Sequence, residues 1–157
     1  MKQYAALGVQ PGKLVLGVPW YGYSVPCASS DRARPCELPV PWPADPIGPW
    51  PCKGQPDPWC CPQQVSYAKI LERKEEASSG TWQFDSGSVT AFFDASNSSG
   101  GRVQLWYDDP ATLSVKARWM KAAGVRGVAM WTASSLNYTA SAGKQAAEMW
   151  AALRLAL

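Results

Sequence analysis

Apolar and polar positions recur with two different periods along this chain, and the switches between them mark its elements. Within residues 1–12, Tyr4, Ala5 and Leu7 run into Gly8 and the turn pair Pro11–Gly12, which reads as the end of a helix entering a turn. Lys13 to Val18 (KLVLGV) is a nearly continuous apolar run, so it predicts a strand covered on both faces, as in a parallel sheet, ended by Pro19. Trp20, Tyr21 and Tyr23 then surround Gly22 where a buried strand meets a loop, a candidate platform for stacking a sugar or a base. From Gln64 to Ala77 the spacing predicts a helix. Val65, Ala68 and Leu71 form its buried stripe, and the charged residues Glu72 to Glu76 form a solvated face. Thr81–Asp85, Val89–Phe93 and Arg102–Tyr107 alternate with period two between turn-rich stretches. Residues 81–107 therefore read as a small antiparallel meander, a lid or side sheet outside the core. Asp109 as cap and Pro110 in the first turn open a helix with Leu113, Ala117 and Met120 inward, and Trp119 is expected in the core beside Met120. Val125–Trp131 is a second short apolar strand, and a last amphipathic helix, Ala142 to Leu155, turns Ala146, Met149, Trp150 and Leu153 inward. Two buried strands joined through a helix make a right-handed βαβ unit. A two-stranded parallel sheet with both edges open needs further strands, so the chain is expected to be part of something larger.

Residues 26–62 follow neither period. They hold eleven of the fourteen prolines, all five cysteines and three of the nine tryptophans, and no regular element survives that proline density. A disulfide-tied loop and a segment of doubtful order both remain open for this stretch. Cys27 and Cys36 can close a small loop and are the favoured disulfide pair. The adjacent Cys60 and Cys61 can hardly both serve one local bridge, so the pairing of Cys52, Cys60 and Cys61 stays open. No C-x-x-C pair and no histidine is present, so neither a metal site nor a cofactor is expected.

Composition narrows the classes further. At 157 residues, with 46% hydrophobic and 17% charged positions, the chain suits one ordinary domain rather than a disordered segment. The net charge of +3 comes without any run of like charges, so no nucleic-acid partner is expected. No apolar stretch approaches the roughly 18 residues of a membrane span, and Met1 opens on KQYAALG rather than on a signal peptide. The absence of histidine removes Ser-His and Cys-His nucleophiles, leaving carboxylates or thiols for any chemistry. Asp108 and Asp109 are the tempting carboxylate pair, yet neighbours leading into a proline rarely converge on one substrate. Asp109 is assigned to the helix cap and Asp108 to holding the loop.

The segments GVPWYGY at 17–23, LWYDDPATLSVKARWM at 105–120 and RGVAMWTASSLNY at 126–138 together resemble the closing part of the family 18 glycoside hydrolases. The resemblance covers residues 1–28 and 63–155, whereas residues 37–60 do not fit it. It implies an α/β fold, a partial (β/α)8 TIM barrel holding the last two strands and helices with a small antiparallel insertion. Residues 1–157 are then the C-terminal part of one barrel, Leu14–Val18 its seventh strand and Val125–Trp131 its eighth. Barrel sites form at the C-terminal ends of the strands, where Trp20, Tyr21, Tyr23 and Trp131 fall. The resemblance makes Trp131 the floor of the subsite for the reacting sugar and Tyr21 and Tyr23 substrate contacts, although the second is often Arg in related chitinases. The Cys27 and Cys36 pair fits it as well.

The implied activity is hydrolysis of β-1,4-linked N-acetylglucosamine, including the core of Asn-linked oligosaccharides, by substrate-assisted retaining catalysis. In that scheme a Glu protonates the leaving oxygen and the acetamido oxygen attacks the anomeric carbon. The family's acid lies in a DxxDxDxE motif that nothing here matches: Asp31, Asp45 and Asp57 fall in the proline-rich loop, and Glu72, Glu75 and Glu76 lack the spacing. No catalytic residue is therefore expected in this chain, whose implied partners are an N-acetylglucosamine oligosaccharide and a missing N-terminal half of the barrel. A non-catalytic, lectin-like aminosugar-binding protein is the alternative. Acceptor sequons at Asn97 and Asn137 agree with the secretory or lysosomal origin that the resemblance implies.

Overall fold

A computed structural model describes residues 2–28, 35–37, 62–77, 82–97, 100–139 and 143–157. Helix α1 (Lys2–Ala6) gives way to a turn at Gly8, whose φ of +79° suits a residue without a Cβ. Strands β1 (Val15–Pro19), β2 (Tyr21–Pro26) and β3 (Gln63–Ser66) follow, then helix α2 (Tyr67–Glu76). Strands β4 (Gln83–Asp85), β5 (Thr90–Ser96) and β6 (Arg102–Tyr107) lead to helix α3 (Pro110–Ala122), strand β7 (Gly127–Trp131) and helix α4 (Gly143–Arg154).

Strands β1 and β7 are parallel, in register from Val15 opposite Gly127 to Pro19 opposite Trp131, which realises the expected βαβ unit. Leu113, Ala117 and Met120 of α3 are buried in one cluster with Ala146, Met149 and Leu153 of α4 and with Val18 of β1. The opposite face of the pair is open, with Val15 55% and Trp131 69% exposed. Burial along β1 therefore alternates, contrary to the strand expected to be covered on both faces. Among the described residues β1 and β7 pair only with each other, and a parallel sheet closes its second face only when another layer lies on it. Trp119 departs as well: it is 53% exposed, because it stands about 100° around the helix from the buried Met120.

The second sheet is antiparallel in the order β3-β2-β6-β5-β4. Its β4-β5-β6 part is the expected meander, but it is not a lid outside the core. Ala91, Phe93, Val103, Leu105 and Tyr107 are buried with Tyr67 and Ile70 of α2, in the same cluster as Val18 and the two later helices. Strand alternation leaves Tyr23, Trp106, Phe92, Gln104 and Asp94 on the other face. The helix expected from Gln64 starts later, because Gln63–Ser66 is drawn into β3 by pairing with Tyr21–Ser24. Ser66 then caps α2, its Oγ accepting from the Lys69 amide at 3.4 Å. The buried positions of α2 are Tyr67 and Ile70 rather than Val65, Ala68 and Leu71. Gly22 is required by close packing: a Cβ there would meet the Trp106 carbonyl and come within 2.8 Å of Ile70 Cδ1 and of Tyr107 Cβ. Cys27 and Cys36 are bridged as expected, with Cα atoms 5.4 Å apart, while Cys52, Cys60 and Cys61 lie outside the described residues.

Candidate functional site

The chain passes from β1 to β2 at Trp20, and this residue pins the junction. Its amide donates to the Trp131 carbonyl at 2.8 Å, and its ring, 0% exposed, meets Trp150 edge to face at 4.7 Å between centroids. Trp20 is thereby withdrawn from the stacking platform expected of it, since a ring without a free face has none to offer a ligand. Tyr21 and Tyr23 are different. Two positions apart on β2, they leave the same face of the sheet, edge to face with centroids 5.8 Å apart. Partial burial, together with the charge and hydroxyl of Tyr21, holds the Tyr23 phenol above its ordinary value of 10.0. At neutral pH it is an uncharged hydroxyl that can donate and accept.

Beside these rings lies a cavity of about 250 Å³ bordered by Pro19, Tyr21, Tyr23, Trp106, Asp108 and Lys116. Trp106 sits opposite Tyr23 in the β2–β6 register, and its ring stacks on Phe92 at 4.4 Å with 12° between planes. Asp108, 4% exposed, accepts at Oδ1 from Lys116 Nζ at 2.6 Å and from Thr112 Oγ1 at 3.0 Å. The ion pair is sealed at the acid and partly open at the lysine, with side chains 3% and 27% exposed. Asp109 faces the helix instead. It accepts from the Thr112 amide at 2.9 Å and from Trp82 Nε1 at 2.8 Å, while its own amide donates to Thr112 Oγ1 in a complete capping box.

Trp131 closes β7 level with Pro19, and its peptide bond to Thr132 is cis. Pro19 both borders the cavity and pairs with Trp131, so the exposed indole and the cavity lie at the same, C-terminal end of the β1–β7 pair. Sequence reasoning singled out Trp131, Tyr21 and Tyr23 but missed Trp106 and Lys116 as neighbours of the cavity. Trp106 reaches it by cross-strand register with Tyr23, which no local pattern encodes. Lys116 shares the helix of Asp109 and returns to Asp108 across two turns. The sequons also differ in setting: Asn137 is exposed and its Oδ1 accepts from the Thr139 amide at 2.9 Å, whereas Asn97 is half-buried and its Oδ1 accepts from the Gly101 amide at 2.7 Å.

Chemically, flat aromatic faces beside a few fixed polar groups suit the apolar faces and hydroxyls of a sugar. Among the described residues no group of three His, Cys, Asp or Glu could hold a metal ion, and no helix is long and apolar enough to cross a membrane.

The family model described as glycosyl hydrolases family 18 matches residues 1–135. Di-N-acetylchitobiase of Rattus norvegicus is 34% identical over 153 residues, 96% of this chain and 39% of that protein, so the chain spans well under half of the relative's length. Two solved structures share its fold at low identity. The class V chitinase of Nicotiana tobaccum in complex with NAG4 matches with a TM-score of 0.65 and 19% identity, over 94% of this chain and 37% of that one. The chitinase-like agglutinin of Robinia pseudoacacia matches with a TM-score of 0.57 and 20% identity, over 94% and 35%. The fold is thus a mixed α/β arrangement of the TIM-barrel type, in the expected class.

Proposed function

The chain belongs to family 18 of the glycosyl hydrolases, and on that premise we propose that it is the closing part of a barrel glycosidase acting on β-1,4-linked N-acetylglucosamine, di-N-acetylchitobiose in particular. In this reading β1 and β7 are the seventh and eighth barrel strands, and β2–β6 with α2 form the insertion between them. Trp131 is the floor on which the apolar face of the reacting sugar lies, and Tyr21 and Tyr23 meet its polar edge. Hydrolysis then proceeds with assistance from the substrate: an acid protonates the leaving oxygen while the acetamido oxygen attacks the anomeric carbon. This chain binds and orients the sugar but supplies no acid, since no DxxDxDxE motif occurs in it.

The observation that carries the reading is the indole of Trp131, 69% exposed at the C-terminal strand end and level with the cavity of Tyr21 and Tyr23. Calorimetric titration with N,N′-diacetylchitobiose tests it. Trp131→Ala is expected to weaken binding about tenfold or more, the loss of one well-placed aromatic contact and the area it buries. An unchanged affinity would sink the assignment. Turnover of a fluorogenic chitobioside by the 157-residue chain alone would show that the acid lies within it after all.

A second reading, aminosugar binding without hydrolysis, is favoured by Asp108: among the described residues it is the carboxylate bordering the cavity, and it is already held by Lys116 and Thr112. A DxxDxDxE segment with its Glu intact in the complete protein favours the enzyme, and a substituted Glu favours the lectin. Both readings carry a secretory or lysosomal origin with glycosylation at the exposed Asn137. An endoglycosidase treatment that leaves the mass of the natural protein unchanged would refute the glycan.

A further inference from the structure

We propose that Gln104 is a positioning residue that ties the indole of Trp106 to the Cys27–Cys36 loop, so that the disulfide holds one wall of the cavity in place. What the wall is for rests on the sugar-site reading, whereas the tie itself does not.

Gln104 lies mid-strand in β6 on the face that carries Tyr23 and Trp106, and it is 0% exposed. Among the described residues its Oε1 accepts from the Cys36 amide at 3.0 Å and from Trp106 Nε1 at 3.2 Å. Its Nε2 donates to Asp94 Oδ1 at 3.2 Å. That oxygen also receives Arg102 Nε at 3.0 Å and a terminal Arg102 nitrogen at 2.7 Å, in an ion pair whose side chains are only 9% and 7% exposed. The amide can therefore sit only one way round. Rotated by half a turn, its NH2 would face two N–H donors and its carbonyl would face a carboxylate. Gln104 is thus locked from one side by the Asp94–Arg102 pair, and from the other it presents one oxygen to both the loop and the indole.

Trp106 depends on that oxygen for its orientation. The indole N–H is a donor with no acceptor capacity, and the parallel stack on Phe92 lets the ring slide and turn in its plane. The bond to Gln104 fixes the remaining freedom. Cys36 is brought to Gln104 by its disulfide to Cys27, just past the end of β2, and among the described residues the Ala28 amide also bonds to the Glu37 carbonyl at 2.8 Å. Without the bridge, the Cys36 amide leaves Gln104 Oε1, and the oxygen that holds the indole loses its fixed point on the loop side while the Asp94 side remains.

The test reads the indole directly by nitrogen–proton NMR, with the Trp106 signal assigned by its loss in Trp106→Phe. In the wild-type protein that N–H is expected to exchange with solvent at least about tenfold more slowly than the indole of the exposed Trp131, because it is bonded within the fold. Gln104→Met, which keeps the volume and removes the oxygen, is expected to shift the signal and abolish the protection, and Cys27→Ala/Cys36→Ala to shift the signal and reduce the protection. An unprotected wild-type signal, needing no variant to fold, overturns the proposal, and so does a signal that neither change moves. On titration with N,N′-diacetylchitobiose, Gln104→Met is expected to weaken binding severalfold and to add nothing further in the Trp106→Phe background. Additive losses contradict the coupling. If the wild-type protein does not bind the sugar while the indole responds as described, the sugar-site reading fails and the positioning role stands.

Discussion

Asp108 and Lys116 show at a single pair how burial decides what a charge contributes. Lys116→Met leaves the carboxylate, with 3% of its side chain exposed, with Thr112 as its remaining side-chain donor among the described residues, and is expected to cost about 2–3 kcal/mol. Lys69 makes a bond of 2.7 Å to Glu72, but both side chains are 55% exposed and the pair is screened by water, so Lys69→Met is expected to cost far less than Lys116→Met. Urea unfolding of the two variants side by side checks the contrast, and equal losses would contradict it. The buried phenols behave differently. Burial, with the charge of Tyr107 second, raises the Tyr67 hydroxyl far above 10.0, and burial, then Asp109, does the same for Tyr107. Their neutral forms are favoured in the fold, so their contribution is complete below the unfolded value of 10.0 and is lost as pH rises beyond it, when the unfolded chain releases protons that the fold retains. The urea midpoint is thus expected to be flat near neutrality and to fall above about pH 10, less steeply in Tyr107→Phe. Tyrosine absorbance that titrates fully near pH 10 in a still-folded protein would refute this. At this scale the sequence marked rings without their directions: Trp20, Tyr21 and Tyr23 look alike in a row, yet the junction between β1 and β2 buries Trp20, while strand parity sends Tyr21 and Tyr23 to one face of β2.

Elements proved most legible where their cause is local. Helix α3 could be read from Asp109, Pro110 and the spacing of Leu113, Ala117 and Met120, because a cap and a stripe are properties of neighbours in sequence. Asp109→Ala removes both the capping box and the acceptor of Trp82 Nε1, and is expected to cost about 1–2 kcal/mol, measured by thermal melting. A loss below a few tenths would mean that neither bond matters to the fold. Strand β3 was illegible for the opposite reason. Gln63-Gln-Val-Ser carries no alternation of its own and becomes a strand only because Tyr21–Ser24, some forty residues earlier, offers it a partner edge. The same non-local pairing makes Gly22 indispensable. Gly22→Ala is expected to separate β2 from β6 at Trp106 and to lower stability by about 2–3 kcal/mol, the range of overpacking against backbone.

For the whole molecule, the open face of the β1–β7 pair is the feature that connects fold to function. Val18 and Leu16 face the helices, so Val15 and its neighbour two positions on, Gly17, face the other way, where the structure leaves them exposed. In a closed barrel that other way is the interior, filled by side chains from the remaining strands. The resemblance could place these strands at the end of a barrel, and 157 residues are fewer than the roughly 250 that a complete barrel takes. It could not show which face stays uncovered, since that follows from which side α3 and α4 take. Val15→Asp separates the two situations. In the 157-residue chain the side chain is 55% exposed and the charge remains in water, so the expected change is within about 0.5 kcal/mol. In a protein that also carries the other barrel strands, the same carboxylate is enclosed without a partner and is expected to cost about 3 kcal/mol or more. Comparing the two backgrounds by denaturant unfolding tests the partial barrel itself, because equal effects would mean that no further strands close over this face.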